Sequence, residues 1–432
     1  MVTQRIYNLG KALFPINRSI TGKGTLKSLK LIQKEIPKLK IKKIKSNSKV
    51  FDWKIPPEWN VKKAFVKDKF GKKIIDIEVN NLHLVGYSSP VEKKISKKQL
   101  LKRIYSIKKQ PNAIPYVTSY YKRYWGFCLS YNQKKKIIKK YNDNDKFIVK
   151  IDSNYKKNGN LNYGEVILPG KEKKEILIST YICHPSMANN ELSGPTVVTF
   201  LAKWLSNLSE RYYTYRIVFI PETIGSITYL SLNYNEMKQK TISGFNVSCV
   251  GDDRSYSYIP SRDGNSISDK IALHVLNWID PNFVKYSWLD RGSDERQYCA
   301  PGIDLPIASI IRTKYGKYPE YHTSLDDLKV VVTPKGLDGG YWAIRRAIEA
   351  IERNKNFKVS VLGEPQMGKR GLYPTLSTKK STAEVKLMMD FISFCDGTAS
   401  LLQIANKLNV AIWDLYDICD KLEEHNLLIE NQ

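Results

Sequence analysis

Three apolar segments of this 432-residue chain run straight into imidazole or carboxylate groups. Residues 175–182, Glu-Ile-Leu-Ile-Ser-Thr-Tyr-Ile, read as a buried strand that continues into Cys183-His184-Pro185-Ser186-Met187-Ala188-Asn189-Asn190-Glu191-Leu192-Ser193-Gly194-Pro195. Residues 215–220 end in Pro221-Glu222-Thr223-Ile224-Gly225-Ser226, and residues 244–250 end in Gly251-Asp252-Asp253. Downstream, Tyr318-Pro319-Glu320-Tyr321-His322-Thr323-Ser324 supplies a second imidazole in a polar loop. Imidazoles and carboxylates at one place are the groups that move protons and hold cations. The chain has only five histidines, and His83, His274 and His425 lie in contexts that read as packing or surface.

The surrounding pattern explains how these residues meet. Buried strands alternate with helical stretches such as 193–208, which implies a mixed, largely parallel sheet flanked by helices, with ligands at the carboxyl ends of its strands. Three consecutive strands then deliver His184, Glu222 and Asp252 to one edge. Residues 1–45 and 110–377 read as this α/β domain. Residues 46–109 read as an inserted, small β-rich domain, with a turn at Gly71 between two short strands. Residues 378–432, three short helices and a closing strand, have the arithmetic of a winged helix.

Composition narrows the classes. The net charge of +28 invites a polyanion partner. Yet 15 of the 70 basic residues are Arg and the other 55 are Lys, whereas Arg is the residue that reads phosphate and bases bidentately. The third helix of the winged-helix segment carries Asp414, Asp417 and Asp420, so the expectation is a protein partner or a second copy there, and not nucleic acid. The six cysteines show no CxxC spacing and read as reduced thiols. No apolar run is long enough to span a bilayer, and residues 1–9 do not read as a secretory signal, so the expected compartment is the cytoplasm. No phosphate-binding loop and no Gly-x-Ser-x-Gly elbow occurs.

The order His184, Asn-Asn-Glu-Leu-Ser-Gly, Glu222-Thr-Ile-Gly-Ser, Asp252, His322 resembles the core of the zinc-dependent aminopeptidase and exopeptidase superfamily. Phe51-Asp52-Trp53, Asn81-Leu82-His83, Trp125-Gly126-Phe127-Cys128, Ile182-Cys183-His184-Pro185-Ser186 and Pro319-Glu320-Tyr321-His322 are similar to bacterial proteins with an aminopeptidase-like domain, which are associated with surface-polysaccharide biosynthesis. The resemblance implies a zinc-exopeptidase-like fold and a metallohydrolase acting on an amide in a peptide or carbohydrate-linked substrate. It further implies metal ligands at His184, His322 and Asp252, or Asp253 in its place if the strand ends one residue later, with Glu222 as the general base.

Three departures bear on that implication. Ser186 stands where the family has an Asp that orients the imidazole, Asn190 falls on the metal-bridging Asp, and Thr223 replaces a second-metal Glu. The expectation is therefore one zinc at most, with Glu191 reaching in as a substitute ligand. The competing expectation is a metal-free pocket that binds a ligand without turning it over. The cluster Asp290 to Tyr298 reads equally as a solvated loop or as pocket wall, in which Arg291 or Arg296 holds a substrate carboxylate. Tyr256 and Tyr258 are further candidates for the wall.

Overall fold

In the strand Glu175–Tyr181 every residue is buried, which requires cover on both faces and neighbours on both edges. The computed structural model describes residues 2–373 and 379–431 and supplies both. The main sheet comprises β1 (Lys40–Lys45), β2 (Asn160–Leu168), β3 (Glu175–Tyr181), β4 (Thr214–Ile220), β5 (Thr241–Asn246), β6 (Ser257–Ile259), β7 (Val284–Lys285) and β8 (Ile307–Ile311). Their order is β1-β2-β4-β3-β5-β8-β6-β7. The central run β4-β3-β5-β8 is parallel, with Ile178 in register with Ile217 and Phe245, while β1, β2 and β6 pair antiparallel. At the amino ends of β3 and β4, buried Arg216 grips Glu175 through two hydrogen bonds of 2.6 and 2.9 Å.

Helix Ser193–Asn207 follows β3 and helix Ile224–Lys240 follows β4. The first begins so close to the sheet that a Cβ on Gly194 would stand 2.4 Å from the Val247 carbonyl oxygen and 2.5 Å from the Thr180 hydroxyl. Only glycine fits there, and the contact fixes the turn that bears Asn189, Asn190 and Glu191. That turn, Ala188–Leu192, is wound as a single π-helical turn, a form found often at functional sites.

The β-rich unit does not end at residue 109. Its four-stranded antiparallel sheet is ordered Lys73–Asp76, Glu58–Lys67, Lys146–Lys156, Val91–Ser96. Strand Lys146–Lys156 alternates buried and accessible residues along much of its length, the period of a sheet with one wet face, and so joins this sheet and not the main one.

The chain divides into two units, Met1–Ser268 with Phe283–Trp342, and Asp269–Asn282 with Ala343–Gln432. The second contains the winged helix: helices Lys379–Ser393, Leu401–Leu408 and Tyr416–Glu424 with a three-stranded antiparallel sheet. Strand Asn356–Val359 is the middle strand, between Asp396–Ser400 and Leu428–Asn431, so this fold begins well before residue 378. The boundary expected at 377–378 itself lies outside the described residues. His274 belongs to this unit and is a packing residue: its Nδ1 pairs with Asn406 at 2.7 Å and its Nε2 accepts the Ile412 N–H at 2.9 Å. Among the described residues no disulfide forms, all six cysteines are buried, and no helix is long and apolar enough to cross a membrane.

Candidate functional site

Parallel strands end side by side, so the residues that follow β3 and β4 are neighbours in space. His184 leaves β3 and Glu222 leaves β4, and His184 Nε2 lies 3.6 Å from Glu222 Oε2. His322, 138 positions after His184, comes back to the same edge, with its ring centroid 5.7 Å from that of His184. Tyr116 packs against both rings, at 5.0 and 5.2 Å, and its backbone N–H donates to the His322 carbonyl at 2.8 Å. Sequence reading missed Tyr116, because the segment around it has no regular period; it docks by backbone pairing with the His322 loop, including the Pro115–Thr323 bridge.

Glu191 sits elsewhere than a ligand should. Its Oε2 is 2.7 Å from His184 Nδ1, and its Oε1 accepts the Cys183 N–H while lying 3.7 Å from Arg18 Nε. Both oxygens are spent on protein groups. Glu191 thus does for His184 what the absent Asp at position 186 would do: it fixes the ring and the tautomer, leaving Nε2 to face the site. The Cys183 thiol, His184 and Glu191 crowd within 4.8 Å of one another, but these atoms already satisfy each other. Arg18, fully buried, was invisible to sequence reasoning because its partners are 166 and 173 residues away.

Asp252 also departs from expectation. Strand β5 stops at Asn246 instead of running to Val250, and Cys249 adopts a left-handed conformation with φ 51°. The chain turns away, and Asp252 is buried among donors: the Asn189 side-chain amide and the Thr313 N–H, both at 2.9 Å, the Thr313 hydroxyl at 2.6 Å and the Arg254 N–H at 3.1 Å. It braces the turn that holds Glu191, and no oxygen is left for a metal. Asp326 braces the same turn by accepting the Asn189 N–H at 2.6 Å and the Asn190 N–H at 3.0 Å. Arg291 lies over Trp288, while Arg296 donates to Thr223 at 2.7 Å.

The electrostatics follow from this packing. Burial alone would push the His184 pKa down, but the charge and hydrogen bond of Glu191, with the charge of Glu222, outweigh it and the net direction is up. Burial and then the neighbouring His184 push His322 down to about 3. Loss of solvation lifts Glu222 above the usual carboxylate range, although 24 % of its side chain remains accessible. Asp294, buried beside it, is pushed up to about 7, first by burial and then by the charge of Glu222. Left-handed residues gather here as well: Ser186, Thr223, Cys249 and His322 all have φ between 43° and 63°. Such strain persists only where surrounding structure enforces it.

The donor set fits one zinc ion and not two. The His184 and His322 ring centroids stand 5.7 Å apart, a span that two imidazoles on one ion would bridge, and Glu222 Oε2, 3.6 Å from His184 Nε2, would lie beside that ion. The second ion would need anions, but Asn190 offers a neutral amide whose buried Nδ2 has no partner, and Thr223 uses its hydroxyl as the acceptor for Arg296.

Comparison with known proteins agrees with this architecture. A family model described as a domain of unknown function matches residues 7–354, and a winged helix-turn-helix model matches residues 355–430, starting where strand Asn356–Val359 does. Over 425 residues the chain is 40% identical to a polysaccharide biosynthesis protein with aminopeptidase-like domain from Clostridium acetobutylicum, across 98% of this chain and 95% of that one. A crystal structure from the same organism, described as a peptidase, superposes with a TM-score of 0.91 at 40% identity, over 99% of this chain and 96% of that one. A zinc aminopeptidase from Bacillus subtilis superposes with a TM-score of 0.58 at 14% identity, over 81% of this chain and 94% of that one, a likeness of fold.

Proposed function

This chain belongs to the family of polysaccharide biosynthesis proteins with an aminopeptidase-like domain, and from that premise we propose that it hydrolyses an amide bond in a peptide or carbohydrate-linked substrate at a single-zinc site. The observation that supports this most is the convergence of His184, His322 and Glu222 at one sheet edge. His184 Nε2 and His322 would hold the ion, with Glu222 beside it. When bound, zinc supplies a water that ionises near neutrality and polarises the scissile carbonyl.

The protein groups do the remaining work. Glu191 accepts the His184 Nδ1 proton and keeps Nε2 as a lone-pair donor. Glu222, with its raised pKa, takes a proton from the attacking water and returns it to the leaving amine. Tyr116 covers both imidazoles and limits water on that side. The buried, unbridged cysteines support a reducing compartment, the cytoplasm.

A second reading, a ligand-binding protein with no turnover, draws support from the neutral Asn190 and Thr223. Elemental analysis of the purified chain separates the two: about one zinc per chain, lost in His184→Ala, supports the hydrolase. Glu222→Gln should then lower turnover of an amide substrate by roughly 10²–10⁴-fold with zinc content unchanged. A chain without bound zinc, or full turnover in Glu222→Gln, would overturn the reading.

A further inference from the structure

Glu222, whose Oε2 lies 3.6 Å from His184 Nε2, is followed directly by backbone bent in an unusual way. Thr223 has φ 63° and ψ −74°, and the Ile224 N–H donates back to the Glu222 carbonyl at 2.8 Å. These are the marks of a γ-turn of the positive-φ kind, which is rare and strained. A β-branched residue makes it costlier still, since its Cβ crowds the backbone at positive φ. Helix Ile224–Lys240 starts at once behind it. Without restraint, Thr223 would relax to negative φ and swing the Glu222 side chain away from the strand end.

The restraint comes from the segment 292–296. Asp294 Oδ1 accepts both the Thr223 N–H and the Ser226 hydroxyl, each at 2.7 Å, and Arg296 donates to the Thr223 hydroxyl at 2.7 Å. The turn is thus held at its backbone and at its side chain. That segment is itself pinned by Glu295. Its Oε1 accepts the Gly292 N–H, the Ser293 N–H and the Tyr315 hydroxyl at 2.6–2.9 Å, and its Oε2 accepts the Asn246 amide at 2.8 Å. A rigid post rooted in β5 and in the chain after β8 therefore faces the strained turn.

We propose that Asp294 and Arg296 are positioning residues, which hold Thr223 in its left-handed turn and so aim the Glu222 carboxylate at His184 Nε2. This deepens the hydrolase reading, because it says how its proton carrier is placed, and rests on Glu222 acting there.

The test uses the metal-free full-length chain with ¹⁵N-labelled histidine rings, in which the five residues are assigned by single substitutions. Glu222→Gln removes the charge next to His184 Nε2 and should displace the His184 ring signals. Asp294→Ala should displace them in the same direction, Arg296→Met less far, and Asp294→Asn, which keeps the Oδ1 acceptor, should leave them near the parent. A crystal structure of Asp294→Ala should show Thr223 at negative φ and Glu222 farther than 3.6 Å from His184.

A folded Asp294→Ala with parental His184 signals would make Asp294 a merely structural residue and overturn the proposal. So would a Glu222→Gln variant that leaves His184 unmoved. Should Asp294→Ala fail to fold, Arg296→Met on the exposed Arg296 decides: displaced signals support the proposal and parental ones end it. No metal enters these measurements, so the zinc reading can fail in elemental analysis without touching this result.

Discussion

Glu191→Gln is the substitution that probes the site from beneath. Arg18 and Glu191 have side chains that are 0% exposed, so neither charge has water to fall back on. Burial lowers the proton affinity of Arg18, and the Glu191 carboxylate opposes that loss. Removing one member of such a pair leaves the other as an uncompensated buried charge, at a cost of about 3–5 kcal/mol. That is about a fifth or more of the total stability of a typical domain, about 5–15 kcal/mol. In Glu191→Gln the guanidinium keeps only the Leu13 and His184 carbonyls as acceptors, and its Nη2 already has none. Arg18→Met should cost a similar amount, now by stranding the carboxylate. The double variant strands no charge and leaves those two carbonyls unsatisfied, about 1–3 kcal/mol each. The two single losses together should therefore exceed the double loss by roughly 3 kcal/mol, read from urea unfolding of the four proteins. The glutamine has a further effect: its N–H faces His184 Nδ1 and drives the ring proton to Nε2. Zinc affinity, measured by chelator competition, should fall about 10–100-fold. Losses that add within about 0.5 kcal/mol would refute the coupled buried pair.

Gly194→Ala should destabilise the chain by about 1–3 kcal/mol in urea, since the added methyl meets the Val247 carbonyl at 2.4 Å and backbone does not yield like a side chain. The His274 ring is kept neutral by burial, which lowers its pKa below 6.5. Its contribution to stability is therefore full above about pH 6.5 and is lost as pH falls through the lower folded value. Against the parent, His274→Gln should show a flatter decline of the urea midpoint below pH 6.5. In a mobility-shift assay at physiological salt the full chain should show no sub-micromolar, sequence-selective binding of duplex DNA, given Asp417 and Asp420 on the third helix and Asp414 in the turn before it.

The strand ends were readable because a buried parallel strand is a run of apolar residues with an abrupt polar stop, and β3 and β4 have that form. His184 and Glu222 could be named from it, and His322 from its polar loop. What could not be read were roles set by long-range packing. Glu191 has the right type for a ligand, and only the position of Arg18 and the Cys183 N–H reveals that its oxygens are already used. Asp252 was misjudged because an apolar run, Phe245 to Val250, does not announce that its hydrogen-bonded strand ends at Asn246. Strand Lys146–Lys156 was placed with the α/β domain because Phe147 to Ile151 is mostly apolar in type, and only its burial shows the alternation of a sheet with one wet face. The winged helix was found from its helices, while strand Asn356–Val359 is too short to signal its partner strands.

The β-rich unit leaves the main sheet after β1 and rejoins it at β2, and the two crossing points touch: the Ser46 N–H donates to the Gly159 carbonyl at 2.9 Å and the Asn47 amide to the Lys157 carbonyl at 3.0 Å. Everything from residue 46 to 159 is thus a closed excursion whose ends are already tied, the arrangement in which one domain is accommodated inside another with little disturbance to its host. Yet that excursion brings Tyr116 to the two histidines. The edge that bears His184 and Glu222 belongs to the sheet, and part of its wall belongs to the insert. Segment 114–116 also pairs through its backbone with the loop of His322, so exchange of the insert would alter both that wall and the setting of His322, while His184 and Glu222 stay seated at the ends of β3 and β4.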